Sequence, residues 1–284
     1  MMQKIKYIKG AELRRLQLVL LDCLVEFDRV CRENDIKYCI AFGTLLGAVR
    51  HGGFIPWDDD VDVCMTRENY DKFSKVAHLL DQRICFFQDH ANDPEYPWGY
   101  GKLRRTGTTY IRLGQEHLKH KSGFMIDIFP MDDIPQSLVG MKINEAVNLC
   151  LRKITYARVA CRSERSVLWR AWYMLLRCVP LCLVHGLAKC LQTKNNDSTP
   201  NRCHMKFFTP DALIHATVPV WERYGWDKTW MTDLSEYEFE GHRFYGPRDY
   251  EHNLEWSFGP NFMTPPPMAD RESHAPCSDY SFGE

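Results

Sequence analysis

Residues 43–63, GTLLGAVRHGGFIPWDDDVDV, run from a Gly-Thr pair to carboxylates spaced two apart. Side chains on a strand alternate between faces, so Asp58, Asp60 and Asp62 share one face. Asp59, Val61 and Val63 then take the other, with the valines toward the core. Like charges about 7 Å apart along one strand face repel unless a cation sits among them. A hard divalent ion held by oxygens resolves that repulsion, with magnesium the first choice and manganese the substitute.

The residues ahead of the carboxylates suit phosphate. Lys37 to Phe42 reads as a buried strand, and Gly43-Thr44 then opens a short helix from Leu45 to about Arg50. A helix N-terminus carries unpaired N–H groups and the positive end of the dipole, and it attracts anions. Arg50 and His51 close the helix before Gly52-Gly53, where a left-handed cap is expected. The order strand, Gly-Thr, helix, loop, carboxylate strand resembles the nucleotidyltransferase fold of the DNA polymerase beta superfamily. The full run 43–63 is similar to the LicD family, which includes phosphocholine transferases of surface glycopolymers and fukutin-type proteins that transfer ribitol phosphate. The expected fold is α+β: a nucleotidyltransferase-type mixed sheet flanked by helices, with a helical insertion.

Composition bounds the function further. With 284 residues, 45% hydrophobic and 26% charged, the chain suffices for one large domain or a domain with an insertion. A formal net charge of -1 argues against a general nucleic-acid binder. The 12 cysteines include no Cys-x-x-Cys pair, and Met1 to Gly10 lacks an apolar leader, so reduced thiols in a cytoplasmic protein are expected. Cys178, Cys182, His185 and Cys190 lack paired zinc knuckles, and the cysteines read as small core residues.

Along the chain, Leu13, Leu16, Leu20, Cys23, Leu24, Phe27, Val30 and Cys31 form one helical stripe that should pack on the sheet. Arg67 to Leu80 reads as a helix capped by Thr66. Arg83 to Gln88, Trp98 to Arg105 and Thr108 to Arg112 read as strands. In Gly123 to Pro130, GFMIDIFP, Asp127 is the single charge in an apolar strand, and burying a lone carboxylate is costly. A metal shared with Asp60 and Asp62 would supply its partner; an arginine or backbone amides are the alternative. Lys102 and Arg104 share a strand face, with Arg105 opposite, and suit a diphosphate. The competing reading is solvated surface charge, and it applies equally to Arg50 and His51.

Residues 140 to about 224 change character. Asn144 to Arg162 and Ser166 to Gln192 read as helices, the second interrupted by Arg170, Arg177, Pro180, His185 and Lys189, which argues against a transmembrane span. A helix broken near Pro180 is expected, with ordinary packing preferred to shallow membrane contact. Lys194 to Asn201 reads as a loop before a last helix around Asp211 to Tyr224. Residues 234 to 267 resemble the closing segment of LicD proteins. After Pro267 a loose tail is expected, with His274 and Tyr280 at its surface. The division is a catalytic core 1–135, a helical insertion 136–230, and a segment 231–284 returning to the core.

The resemblance implies metal-dependent transfer of choline phosphate or a polyol phosphate from a CDP-choline or CDP-ribitol-like donor to a sugar hydroxyl of a glycan, lipid-linked ones included, with release of CMP. It assigns the metal to Asp60, Asp62 and Asp127 with Asp58 as a further ligand, and catalysis to Asp60, Asp62 and Asp127, the last as base. Gly43, Thr44, Arg50, His51, Lys102 and Arg104 would hold the donor. A cytoplasmic location follows, with peripheral contact at the inner face of the membrane as a second reading. Two alternatives stay open: a nucleotidyltransferase that releases pyrophosphate, and an inactive scaffold protein.

Overall fold

A computed structural model describes residues 5–135, 137–190, 202–205, 225–271 and 276–283. The helix α1 (Ala11–Glu33) buries the whole predicted stripe and lies against the sheet. Two polar groups on that face are anchored. Gln17 donates from Nε2 to the carbonyls of Ile55 and Asp58, and Glu26 accepts from the Asp81 N–H and from Arg29.

The sheet has seven strands: β1 (Cys39–Ile40), β2 (Asp62–Thr66), β3 (Cys85–Gln88), β4 (Gly101–Arg105), β6 (Met125–Asp133), β7 (Arg202–Met205) and β8 (Trp226–Asp227). The order is β1-β2-β6-β4-β3, with β7 on β6 and β8 on β7. Only the β2–β6 pair is parallel among the described strands, so the fold is α+β with a mixed sheet. Pro130 sits inside β6 where one neighbour changes: β4 pairs with residues up to Ile128, and β7 takes over from Met131. A residue without an N–H costs no ladder bond at such a gap.

Several expected boundaries move. The strand read over 37–42 shrinks to Cys39–Ile40, because α2 (Phe42–His51) begins at Phe42 with Ala41 as its extended cap. Gly43 and Thr44 therefore lie inside its first turn. Gly52 does cap the helix in the left-handed region, φ 66°. Thr66 Oγ1 accepts the Asn69 N–H and starts α3 (Arg67–Val76). Asp58 and Asp60 precede the strand outside any regular element, and Asp62 alone opens β2.

Between β6 and β7 come α4 (Leu138–Ser163), α5 (Val167–Leu176) and α6 (Leu181–Cys190), with the break at Pro180 where it was expected. Cys178, Cys182 and Cys190 are exposed, which corrects their reading as core residues. The loop 194–201, the helix 211–224 and His274 lie outside the described residues.

The chain end is also corrected: β11 (Cys277–Ser281) pairs with β5 (Thr109–Arg112), apart from the main sheet. Tyr280 donates to Glu12, and Phe282 packs on Phe124. The hairpin of β9 (Leu234–Phe239) and β10 (His242–Pro247) closes over α2, and Glu240 at its turn holds Arg14 and the Phe54 N–H.

Candidate active site

Register sets the first three groups. β2 and β6 run parallel with Asp62 beside Asp127, and β6 and β4 run antiparallel with Asp127 beside Lys102. Asp62, Asp127 and Lys102 thus form one row across three adjacent strands about 4.8 Å apart. Lys102 Nζ donates to Asp127 Oδ1 in a buried ion pair. Burial holds the Lys102 ammonium down at about 8, although Asp127 pulls the other way. The sequence reading gave Lys102 to a diphosphate; here it also partners Asp127.

The remaining carboxylates arrive on the chain before β2. Oxygens of Asp58, Asp59 and Asp60 lie within 4.8 Å of one another, the one group of three potential metal ligands this close among the described residues. Asp59, expected on the opposite face, joins this group because the segment is not a regular strand. At an effective dielectric of about 20, each charge pair at that separation repels by roughly 3 kcal/mol. Burial, then the charges of Asp60 and Asp59, push Asp58 well above the usual carboxylate range. Burial, then Asp60, Asp127 and Asp58, do the same to Asp62. A set of oxygen donors that resists ionising together fits a hard divalent cation.

The Gly43-Thr44 end of α2 is occupied by the protein itself. Thr44 is buried, and its Oγ1 accepts the Asp62 N–H at 2.9 Å, which ties the helix to the carboxylate strand. A Cβ on Gly43 would stand 2.6 Å from Asp58 Oδ2, so the Asp58 carboxylate rests against the first turn where phosphate was expected.

Asp58, Asp60, Asp62 and Asp127 open together into a cleft of about 680 Å³ with Gly43 and Arg50 on its wall, a size ordinary for small-molecule sites. Arg50 is steadied by donating to the Phe262 carbonyl at 2.8 Å. His51 does not line the cleft; it meets the edge of Trp57, which does. Arg104 does not line it either, because its Nε donates to Gln88 Oε1 and its Nη1 to the Gly123 carbonyl.

Arg104 and Lys102 instead face a second cavity of about 530 Å³, together with Arg112, Arg152 and Lys153 and the aromatic rings of Trp98, Tyr100, Tyr110 and Tyr156. Tyr100 and Arg112 line both spaces. Sequence reasoning placed Arg112 on a strand and went no further. Its neighbours explain its weight: Asp127 and Tyr100 hold its charge against burial, and its Nε is buried without a hydrogen bond among the described residues. The available signal was the alternation Tyr110, Arg112, which sets both on one face of β5.

Residues 35–145 match the family described as LicD/FKTN/FKRP, nucleotidyltransferase domain. Over 94% of its length the chain is 28% identical to the lipopolysaccharide cholinephosphotransferase LicD of Haemophilus influenzae, covering 97% of that protein. Within residues 35–145 the chain is similar to the LicD family. An uncharacterized protein of Rickettsia typhi is 38% identical over 28% of this chain and 25% of its own length. Another, of Rickettsia prowazekii, is 46% identical over 23% of this chain and 24% of its own. The stretch matching the LicD family contains the four aspartates of the cleft, Lys102, Arg104 and Arg112; α5, α6 and β11 lie beyond it.

Proposed function

We propose that this chain is a LicD-type transferase in a nucleotidyltransferase-type fold and transfers choline phosphate or a polyol phosphate from a CDP-activated donor to a sugar hydroxyl, releasing CMP. The observation that carries this reading is the convergence of Asp58, Asp60, Asp62 and Asp127 on one cleft beside a cavity with five cationic side chains. Its support among relatives is the Haemophilus influenzae protein named for cholinephosphate transfer to lipopolysaccharide, aligned along nearly the whole chain.

Asp60, Asp62 and Asp127 would hold magnesium, with Asp58 as a further ligand. Bound there, the ion would neutralise the diphosphate and make its phosphorus more electrophilic. Lys102, Arg112 and Arg152 meet the diphosphate oxygens, and the aromatic rings of the second cavity take the nucleoside. An acceptor hydroxyl attacks the phosphorus bearing the alcohol. A new P–O bond forms to the sugar oxygen, the P–O bond to the cytidine phosphate breaks, and the charge departs with CMP. With one oxygen engaged by Lys102 and the other toward the ion, Asp127 would position the hydroxyl, whose proton leaves with the CMP phosphate.

Calorimetric titration with CDP-choline and CDP-ribitol, each with magnesium and again with EDTA, tests the donor, and product analysis tests the reaction. Magnesium-dependent binding with CMP release is expected. Binding of CTP with pyrophosphate release moves the assignment to the nucleotidyltransferase alternative. Asp62→Asn should abolish transfer and magnesium-dependent binding, yet raise the melting temperature in EDTA because one repelling charge is gone. An active Asp62→Asn enzyme would end the metal assignment.

A further inference from the structure

Helices α5 and α6 present an apolar face that no described residue covers. Leu168 is 84% exposed and Trp169 60%, and Trp172, Leu175, Leu183 and Leu187 extend the same surface. The opposite side is packed: Tyr173 meets Ala157, Ala160 and Cys161 of α4, and Val184 and Ala188 meet Leu151. Single exposed apolar residues are ordinary, but a contiguous patch of this kind marks an interaction surface.

Charge and shape identify its occupant. From Arg165 to Cys190 the chain carries Arg165, Arg170, Arg177 and Lys189 and no carboxylate, within a protein of net charge -1. Arg165, Arg177 and Lys189 are exposed. Two cationic helices without a carboxylate of their own, bearing tryptophan and leucine, complement anionic headgroups over an apolar layer; tryptophan settles at the headgroup level, and each cation adds attraction. A protein partner with an acidic, apolar face is less suited, since burying four long cationic side chains in a dry interface needs a matching carboxylate for each. The two helices have ten residues each and meet at an angle of 72°, and no single described helix is long and apolar enough to cross a membrane. Ten residues reach about 15 Å, half the hydrocarbon thickness, so the elbow lies in the interface.

We propose that the α5–α6 elbow is a docking surface for anionic lipid bilayers, with Leu168, Trp169, Trp172 and Leu175 entering the headgroup layer. The elbow is joined to the cationic cavity. α4 carries both the seat of α5 and the cavity residues Arg152, Lys153, Thr155 and Tyr156, while His185 of α6 stacks on His90 at 3.9 Å. Docking therefore holds one wall of that cavity near the lipid surface. The inference stands apart from the reaction assigned above.

The test is flotation of the full chain with vesicles of phosphatidylcholine alone and of phosphatidylcholine mixed with phosphatidylglycerol, read alongside tryptophan emission. Preferential binding to the mixed vesicles with a blue shift is expected, weakening at high salt. Leu168→Asp with Trp169→Asp should lower binding by at least tenfold while circular dichroism stays unchanged, as suits exposed positions. Arg165→Gln, Arg170→Gln and Arg177→Gln together should remove about a hundredfold of the anionic preference. Absence of binding to both vesicles, or equal binding by the Leu168/Trp169 variant, overturns the proposal. So does a dimer in sedimentation velocity that the same variant dissociates, since the occupant would then be a second copy.

Discussion

Arg104 is buried and Arg112 half-buried, and their surroundings divide their roles. The Arg104 guanidinium is consumed by Gln88 and Gly123, so Arg104→Ala should cost about 2–3 kcal/mol in urea denaturation through the buried acceptors it strands. Arg112 stands on the wall between the two spaces; Arg112→Gln should raise the donor KM at least tenfold with little change in the denaturation midpoint. The reverse pattern would exchange the two assignments. Glu26 supplies a pH test. Arg29 first, then the Asp81 N–H, hold its carboxyl below the ordinary value. A depressed native pKa stabilises above the unfolded pKa and is lost as pH falls through the native one. Glu26→Gln should therefore lower the melting temperature at pH 7, with the gap to wild type closing below about pH 4. A gap that persists at pH 3 would assign the loss to packing. Local patterns made much of this visible: the α1 stripe, the Thr66 cap and the Gly52 cap each depend on neighbours a few residues away. Arg112 was not visible, because its weight comes from Asp127 and Tyr100 on other segments.

The unit formed by α2, its loop and β2 carries the site's precision. Gly47 faces the returning loop so closely that a Cβ would stand 2.5 Å from the Gly53 carbonyl. Gly47→Ala should cost about 2 kcal/mol by pushing backbone apart, and should weaken magnesium binding because the displaced loop carries Asp58 and Asp60. Gly186→Ala in α6 meets nothing within 4 Å and should leave stability unchanged or raise it by up to about 1 kcal/mol. Paired thermal melts check both; equal effects would remove the close approach as the cause. The alternating aspartates announced a strand, yet the regular strand starts at Asp62. The difference is physical: Gln17 holds the Ile55 and Asp58 carbonyls from α1, and Asp58 turns onto Gly43. Contacts reaching across the fold override the period-2 pattern at the positions where four carboxylates are brought together.

On the scale of the molecule, the two ends of the chain are clasped. Lys6 and Cys277 exchange backbone hydrogen bonds, and β11 is the partner of β5 among the described strands. Truncation after Arg271 should lower the unfolding midpoint, remove hydrogen-exchange protection from residues 109–112 and weaken donor binding through Arg112. Unchanged protection would restore the loose tail that composition suggested, which the register of Cys277 on Arg112 argues against. Composition missed the clasp because its bonds join distant residues, Ser278 to Ile111 across 167 positions and Cys277 to Lys6 across 271. That separation also orders events in time. A ribosome finishes all four aspartates of the cleft long before it makes β11, and a loop of that length closes late in folding. A nascent chain thus carries its acidic cluster through the synthesis of residues 128–276 without the strand that pairs beside Arg112.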